Sequence, residues 1–215
     1  MSENNFRAMN IILLGYPGAG KGTEAENLKK QGYFHVSTGD LIRAEIKKES
    51  PLGKQVKDLI SKGNLVPDNL ITEILLSAIK GKENILFDGF PRTLAQAQTL
   101  TEYLKNAGQK VKVILLKASE EVVLKRLTSR RLCKDCGHIE NIYWPSYTGK
   151  CSQCGGELYT RTDDTLESAK HRLDVFKKET EPLLEYYSKE EGYITVDASR
   201  SAEEVSLTVK RALEV

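Results

Sequence analysis

The chain has little of what would mark a membrane protein, a secreted scaffold or a nucleic-acid wrap. No apolar run in its 215 residues approaches the ~18 that a membrane span needs, and the N-terminal stretch holds no hydrophobic signal core. Net charge is scarce too. Against 32 basic side chains stand 30 acidic ones, a formal +2 that argues against a polyanion wrap or an acidic-membrane anchor while leaving room for a local basic cleft. Tryptophan occurs once and cysteine four times, and all five residues fall between positions 132 and 162. There is no internal repeat, low-complexity tract or flexible interdomain linker. The expectation is a soluble, cytoplasmic protein with one sizeable core and insertions, preceded by a polar, irregular N-terminal extension at residues 1–8.

What is present begins with the first apolar run, Ile11-Ile12-Leu13-Leu14, which breaks into Gly15-Tyr16-Pro17-Gly18-Ala19-Gly20-Lys21-Gly22-Thr23. A strand that turns into glycines and a lysine and then into a helix forms a phosphate cradle. The glycines let backbone N–H groups turn inward, Lys21 adds a point charge, Thr23 adds a hydroxyl within reach of a magnesium ion, and the helix aims its positive end at the same place. Gly15 to Lys21 satisfies G-x-x-x-x-G-K. The next position departs from the general pattern, with Gly22 where Ser or Thr is usual and the hydroxyl one residue later at Thr23.

Strand-like runs at 10–14, 34–37, 85–88, 111–117 and 193–197 alternate with helical patterns at 22–30, 39–48, 52–61, 68–80, 94–106, 120–131, 165–188 and 202–213. This alternation predicts a doubly wound, five-stranded parallel sheet of α/β class, covered on both faces, with ligands at the carboxyl ends of its strands. Two segments break the pattern. Residues 38–67 read as a helical insert, and 132–162 lose helical periodicity, leaving 9–37, 68–131 and 163–215 as the core.

Ile85-Leu86-Phe87-Asp88 is an apolar strand ending in a carboxylate. Alone, Asp88 reads equally as a turn former; beside a phosphate loop it is placed to hold magnesium or its waters. In the second insert, Cys133-x-x-Cys136 and Cys151-x-x-Cys154 form two knuckles separated by 14 residues, each followed by a glycine. Four thiolates at this spacing suit one tetrahedral zinc, with iron the commonest substitute; two disulfides or four free thiols would use the same residues. An insert of this size with little apolar content cannot build its own core, so metal ligation would supply its folding free energy.

Taken together, the phosphate loop, Ser37-Thr38-Gly39-Asp40 with Arg43, Gly89-Phe90-Pro91-Arg92-Thr93 with Gln96-Ala97, Arg126 to Arg131, Arg161-Thr162-Asp163-Asp164 with Arg172, and Val196-Asp197-Ala198 closely resemble the adenylate kinases, a family of nucleoside monophosphate kinases. The resemblance covers nearly the whole chain from Met9 onward. It implies reversible transfer of a phosphoryl group from magnesium-bound ATP to AMP, giving two ADP and serving adenine nucleotide homeostasis. ATP would lie on Gly18, Ala19, Gly20, Lys21, Gly22 and Thr23, with Arg126 over its base, Arg130 at its phosphates and Arg200 beside the adenine. AMP would be held by Thr38, Arg43, the backbone of Asn64, Leu65 and Val66, Gly89, Phe90, Pro91, Arg92 and Gln96. Arg130 and Arg161 would close on the transferring group, Arg172 would bridge the acceptor side, and Asp88 would serve the magnesium. Part of the family carries a structural zinc ribbon in a lid over ATP, which places Cys133, Cys136, Cys151 and Cys154 as its ligands. Ile139-Glu140 lacks the aromatic residue usual at that point, leaving Tyr143 or Trp144 as substitutes.

Charge leads to the same residues independently. ATP and AMP bring about six negative charges. Lys21, Arg43, Arg92, Arg130, Arg161 and Arg172 offer six positive ones, mostly guanidinium forks that match phosphate oxygens. No general base is required, because the attacking oxygen of a monophosphate is already anionic, so His35, His138 and His171 receive no catalytic role. The other readings are a kinase for UMP, CMP or GMP, a nucleotide-gated module whose ribbon grips nucleic acid, and a GTPase switch. Gln96 and Thr93 argue against the first, the mixed charge of the ribbon against the second, and the lack of an Asn-Lys-x-Asp element against the third. Neither nucleic acid nor membrane is expected as a partner, and two moving inserts favour a monomer.

Overall fold

The computed structural model describes residues 9–49, 53, 54, 56, 57, 59 and 66–213. Its centre is a parallel sheet in the order β2-β3-β1-β4-β8, formed by β1 (Met9–Gly15), β2 (Phe34–Ser37), β3 (Ile85–Asp88), β4 (Lys110–Lys117) and β8 (Tyr193–Asp197). Side-chain alternation along β1 splits the core in two. Ile12 and Leu14 point to a layer with Phe87, Leu75, Leu100 and Tyr187, while Ile11 and Leu13 point to one with Leu28, Leu86, Ile114 and Val209. The strands are therefore apolar throughout because helices cover both faces.

The helices are α1 (Lys21–Lys29), α2 (Thr38–Lys47), α3 (Asp68–Ile79), α4 (Leu94–Asn106), α5 (Glu120–Ser129), α6 (Leu166–Val175), α7 (Glu181–Ser188) and α8 (Ala202–Leu213). Five of them start on a side-chain cap: Ser37, Thr93, Ser119, Thr165 and Ser201 each accept a bond from the backbone N–H three residues on. Between α2 and α3, residues 53, 54, 56, 57 and 59 are helical. The remainder of the helix expected at 52–61 lies outside the described residues, as do Asn64 and Leu65.

Two expected helices come out differently. The pattern predicts one helix over 120–131, but it stops at Ser129, and Arg130–Cys133 becomes strand β5 of a small antiparallel sheet in the order β6-β5-β7, with β6 (Ile139–Asn141) and β7 (Leu158–Tyr159). Arg130 and Arg131 pair with Asn141 and Glu140, and the Asn141 amide donates to the Ser129 hydroxyl at 2.8 Å. Pairing to residues distant in sequence thus overrides local helical preference. The helix expected over 165–188 is interrupted by a π-helical turn, Phe176–Thr180, just ahead of Pro182. A proline there has no N–H to give the preceding turn and crowds its carbonyl, so the ladder widens before continuing.

Among the described residues no helix is long and apolar enough to cross a membrane.

Candidate active site

The phosphate loop leaves the carboxyl end of β1 in the middle of the sheet, where the chain's connections depart to opposite sides. Gly20 caps α1 in the left-handed region (φ 104°), and Gly18 (φ 85°) turns the loop where a side chain has no room: a Cβ there would lie 2.8 Å from both the Val123 carbonyl oxygen and Leu127 of α5. At Gly22, the departure from the general pattern, a Cβ would meet Ile139 of β6 at 2.9 Å. A side chain at 22 would have to push aside the terminal methyl of Ile139, whereas Thr23 opens into the cleft.

That cleft, of about 700 Å³, runs along the carboxyl ends of the strands. Gly18, Ala19, Gly20, Lys21, Gly22 and Thr23 line one side, and Thr38, Arg43, Val66, Gly89, Pro91 and Gln96 line the other. Asp88, Arg92, Arg126, Arg130, Arg161, Arg172 and Arg200 face the same space. Phe90 does not: it is buried in the core layer beneath Gly89 and Pro91. The six cations singled out by charge are thus gathered from parts of the chain as far apart as Lys21 and Arg172.

Burial and crowding cost Lys21, Arg92, Arg161 and Arg172 some of their affinity for a proton. Burial pushes the Lys21 ammonium down to about 7, with Arg92, Arg172 and Arg130 adding to the fall and Asp88 opposing it. Its Nζ donates to the Gly15 and Tyr16 carbonyls at 2.7 and 2.9 Å. Loss of solvent, then the charge of Arg172, brings Arg92 to about 10; loss of solvent, then Arg130, brings Arg161 to about 10. The Arg161 Nε is buried with no partner. Six cations outnumber the carboxylates beside them, Asp40, Asp88, Asp163 and Asp164, and the surplus positive charge makes a site for a polyanion.

Two carboxylates hold part of this array. Asp164, fully buried in its side chain, grips Arg130 at 2.8 and 2.5 Å and lies 3.5 Å from Arg172, which also donates to Asp163 at 3.0 Å. Arg43 donates to Asp40 at 2.6 Å. Arg126 bonds the carbonyls of Ala198 and Arg200 at 2.7 and 3.2 Å, so it fixes the loop after β8 as well as facing the cleft. Arg200 is exposed and 3.5 Å from Asp197.

Asp88 ends β3 with its register partners Leu13 and Ser37 on either side. Burial works to raise its pKa, but the His35 ring and the Lys21 charge outweigh it and hold the carboxyl below the usual range. The His35 Nε2 stands 3.5 Å from Asp88. Sequence reasoning passed over this contact, and also over Asp163 and Asp164 as counterions, for which the Asp-Asp doublet after Arg161 was the available signal.

The four cysteines come together in the loops of the small sheet, their sulfurs within 4.8 Å of one another and the closest contacts 3.4 to 3.6 Å. Thiolates about 2.3 Å from a tetrahedral zinc would be about 3.8 Å apart, so the cluster fits one such ion. The Cys136 N–H, with other local donors, draws the Cys133 thiol down to about 7. At Cys154 the Gly156 N–H favours the thiolate, but the neighbouring sulfurs of Cys133 and Cys136 prevail and push it up to about 12. Four thiols so close cannot all ionise without a cation among them. A Cβ at Gly156 would run first into the Asp135 carboxylate and then into Cys133 Sγ at 2.9 Å. Of the two aromatic candidates, Trp144 lines the cleft while Tyr143 is 63% exposed beneath the Lys125 ammonium.

A phosphate loop at the switch point of a parallel sheet, facing a cleft crowded with guanidinium groups, defines a P-loop enzyme that moves phosphoryl groups. The profile of the Adenylate kinase family matches residues 13–192. The chain is 45% identical over 214 residues to the adenylate kinase of Thermosipho melanesiensis, covering 96% of this chain and 99% of that protein. It is 45% identical over 213 residues to that of Caldicellulosiruptor bescii (96% and 98% covered), and 41% identical over 213 residues to that of Archaeoglobus fulgidus (96% and 98%). The chain belongs to the adenylate kinase family and is a phosphotransferase.

Proposed function

We propose that the chain transfers the terminal phosphoryl group of magnesium-bound ATP to AMP, giving two ADP, with the phosphate-loop side of the cleft as donor site and the Thr38–Gln96 side as acceptor site. The observation that carries this reading is the convergence of Lys21, Arg43, Arg92, Arg130, Arg161 and Arg172 on one cleft with two distinct walls. One polyanion would need fewer cations; two nucleotides meeting phosphate to phosphate need this many.

An acceptor phosphate oxygen attacks the γ-phosphorus as the bond to the β–γ bridging oxygen breaks, and that oxygen departs with ADP. No proton need move, so the protein's work is positioning and charge stabilisation. Lys21 would leave the loop carbonyls for the donor's phosphates while the loop N–H groups hold the rest. Thr23 and Asp88 would orient the magnesium that arrives with ATP. Arg130 and Arg161, one fixed by Asp164 and the other without a bonded partner at Nε, would meet the equatorial oxygens of the transferring group. Arg92, Arg43 and Arg172 would hold the acceptor phosphate, and Gln96 its base. The ribbon carrying Trp144 would cover the donor base together with Arg126 and the backbone near Arg200. Zinc on the four cysteines would be structural, and the protein would act as a cytoplasmic monomer. Closure of the ribbon and the helical insert over both nucleotides would exclude water, whose attack wastes ATP.

The test is chromatographic separation of products after incubating the protein and magnesium-ATP with AMP, GMP, CMP or UMP in separate tubes. ADP in excess of simple hydrolysis is expected with AMP, and Arg92→Ala is expected to lower that rate by about 10²-fold or more. Transfer to a different monophosphate instead would overturn the acceptor assignment; no transfer to any would overturn the whole reading.

A further inference from the structure

We propose that Asp68 sets the base specificity of the acceptor site by locking the side-chain amide of Gln96 in a single orientation. The inference rests on the reading above, in which Gln96 faces the acceptor's base. Gln96 is 3% exposed and lines the cleft, whereas Asp68, the first residue of α3, sits behind it. The Gln96 Nε2 donates to one oxygen of Asp68 at 2.6 Å, and the Thr93 hydroxyl donates to the other at 2.7 Å. On the opposite side of the amide, the Arg92 backbone N–H donates to the Gln96 Oε1 at 2.7 Å.

These partners dictate which end of the amide is which. A carboxylate can only accept and a backbone N–H can only donate, so the nitrogen must face Asp68 and the oxygen must face Arg92. Turning the amide over would set oxygen against carboxylate and NH2 against N–H, replacing two short bonds by two repulsions. Each amide atom keeps one valence unused by the lock: a second N–H on Nε2 and a second lone pair on Oε1.

A purine reads that remaining pair differently according to its sixth position. Adenine offers a donor at N6 and an acceptor at N1, which match Oε1 and Nε2 as they are held. Hypoxanthine and guanine offer an acceptor at O6 and a donor at N1, which match only the overturned amide. An unrestrained glutamine could serve either base by rotating; the carboxylate at 68 removes that freedom. Asp68 is thus a positioning residue that touches no substrate. Its sequence signature is only that of an acidic residue in the first turn of a helix, which is why it carries no functional signal by itself.

IMP isolates the effect, since it differs from AMP in this donor and acceptor reversal and lacks the extra amine of GMP. Steady-state kinetics with magnesium-ATP and either AMP or IMP would be compared for the unmodified chain, Asp68→Asn and Asp68→Ala, alongside thermal unfolding of each. The isosteric Asn keeps an oxygen for Gln96 while also offering a donor to the reversed amide, and Ala removes the carboxylate half of the lock, leaving the Arg92 N–H alone to orient the amide. The IMP/AMP ratio of kcat/KM is expected to rise roughly tenfold in both variants, through a raised KM for AMP and a lowered KM for IMP. A purely structural role would reduce both substrates together, and an unchanged ratio in the folded variants would overturn the lock. Failure of the unmodified chain to phosphorylate AMP at all would instead overturn the acceptor assignment on which the lock rests.

Discussion

At the scale of single residues, the cleft is governed by the cost of holding cations together. Lys21 is poised near neutrality, so anion binding should be linked to protons. Phosphate oxygens around the ammonium raise its pKa above the value of about 7 that burial imposes on the free protein, and binding must therefore take up a proton wherever the pH exceeds that value. Calorimetric titration with magnesium-ATP in two buffers of different ionisation heat should show uptake approaching one proton per nucleotide at pH 8 and little at pH 6. Affinity should weaken with rising pH above 7, and uptake near zero at pH 8 would show that Lys21 is already charged. Asp88 carries the opposite sign. Its carboxyl is held below the ordinary range, so the stability it contributes is present above about pH 4 and lost as the pH falls through its folded value. The buried Asp164 shares its carboxylate between Arg130 and Arg172, and its removal strands Arg130 while leaving Arg172 with Asp163. Asp164→Ala should lower the unfolding free energy in urea by about 3 kcal/mol, within the range for breaking a buried pair. A loss below about 1 kcal/mol would mean that water in the cleft screens the two guanidinium groups.

At the scale of elements, the phosphate loop is set by what it packs on as much as by its own conformational needs. Gly18 and Gly20 both have positive φ, but only Gly18 is pressed against α5, 2.8 Å from a backbone oxygen that cannot swing away. Gly20→Ala should cost about 1 kcal/mol from the left-handed conformation alone. Gly18→Ala adds overpacking and should cost about 3 kcal/mol or displace the loop from α5, lowering nucleotide affinity as well. Denaturant midpoints for the pair separate strain from packing; equal losses would place the cost in φ alone. The same distinction explains Gly22, whose missing side chain makes room for Ile139 rather than for an unusual backbone angle. The boundary of α5 shows pairing overcoming propensity. Arg130 and Arg131 continue the basic, helix-compatible run that begins at Arg126, yet they are drawn into β5 by Asn141 and Glu140, with Asp164 drawing in the Arg130 guanidinium.

At the scale of the whole molecule, the parallel sheet supplies a rigid base and the cysteine-bearing ribbon hangs over its carboxyl edge. The ribbon's short strands bury little apolar surface, so its order should depend on metal far more than the core's does. Metal analysis is expected to find one zinc per chain, lost in Cys136→Ser or with a strong chelator. Trp144, the chain's single tryptophan, lies in the ribbon and faces the cleft, so its fluorescence reports on that unit while far-ultraviolet circular dichroism reports mainly on the core. Metal removal should shift the fluorescence transition to lower temperature with a much smaller change in the dichroism transition. Coincident, unshifted transitions would show that the ribbon is held by its contacts with the core instead.

The sequence alone determined the features whose physics is local. The phosphate loop, the cysteine pairs, the five parallel strands and most helices were legible because each depends on neighbours a few residues apart: a turn, a ligand spacing, an alternation of apolar side chains. The concentration of arginines was legible as composition, and the resemblance to adenylate kinases as a set of spaced motifs. Tertiary structure alone decided what depends on residues brought from far along the chain. It ended α5 at Ser129, buried Phe90 beneath its own loop, and turned Trp144 rather than Tyr143 toward the cleft. It also set Asp164 between two arginines and Asp68 behind Gln96, separations of 34 and 28 residues that no local pattern encodes. A charge's neighbours and an amide's orientation are properties of the space around them, and that space exists only once the sheet has formed.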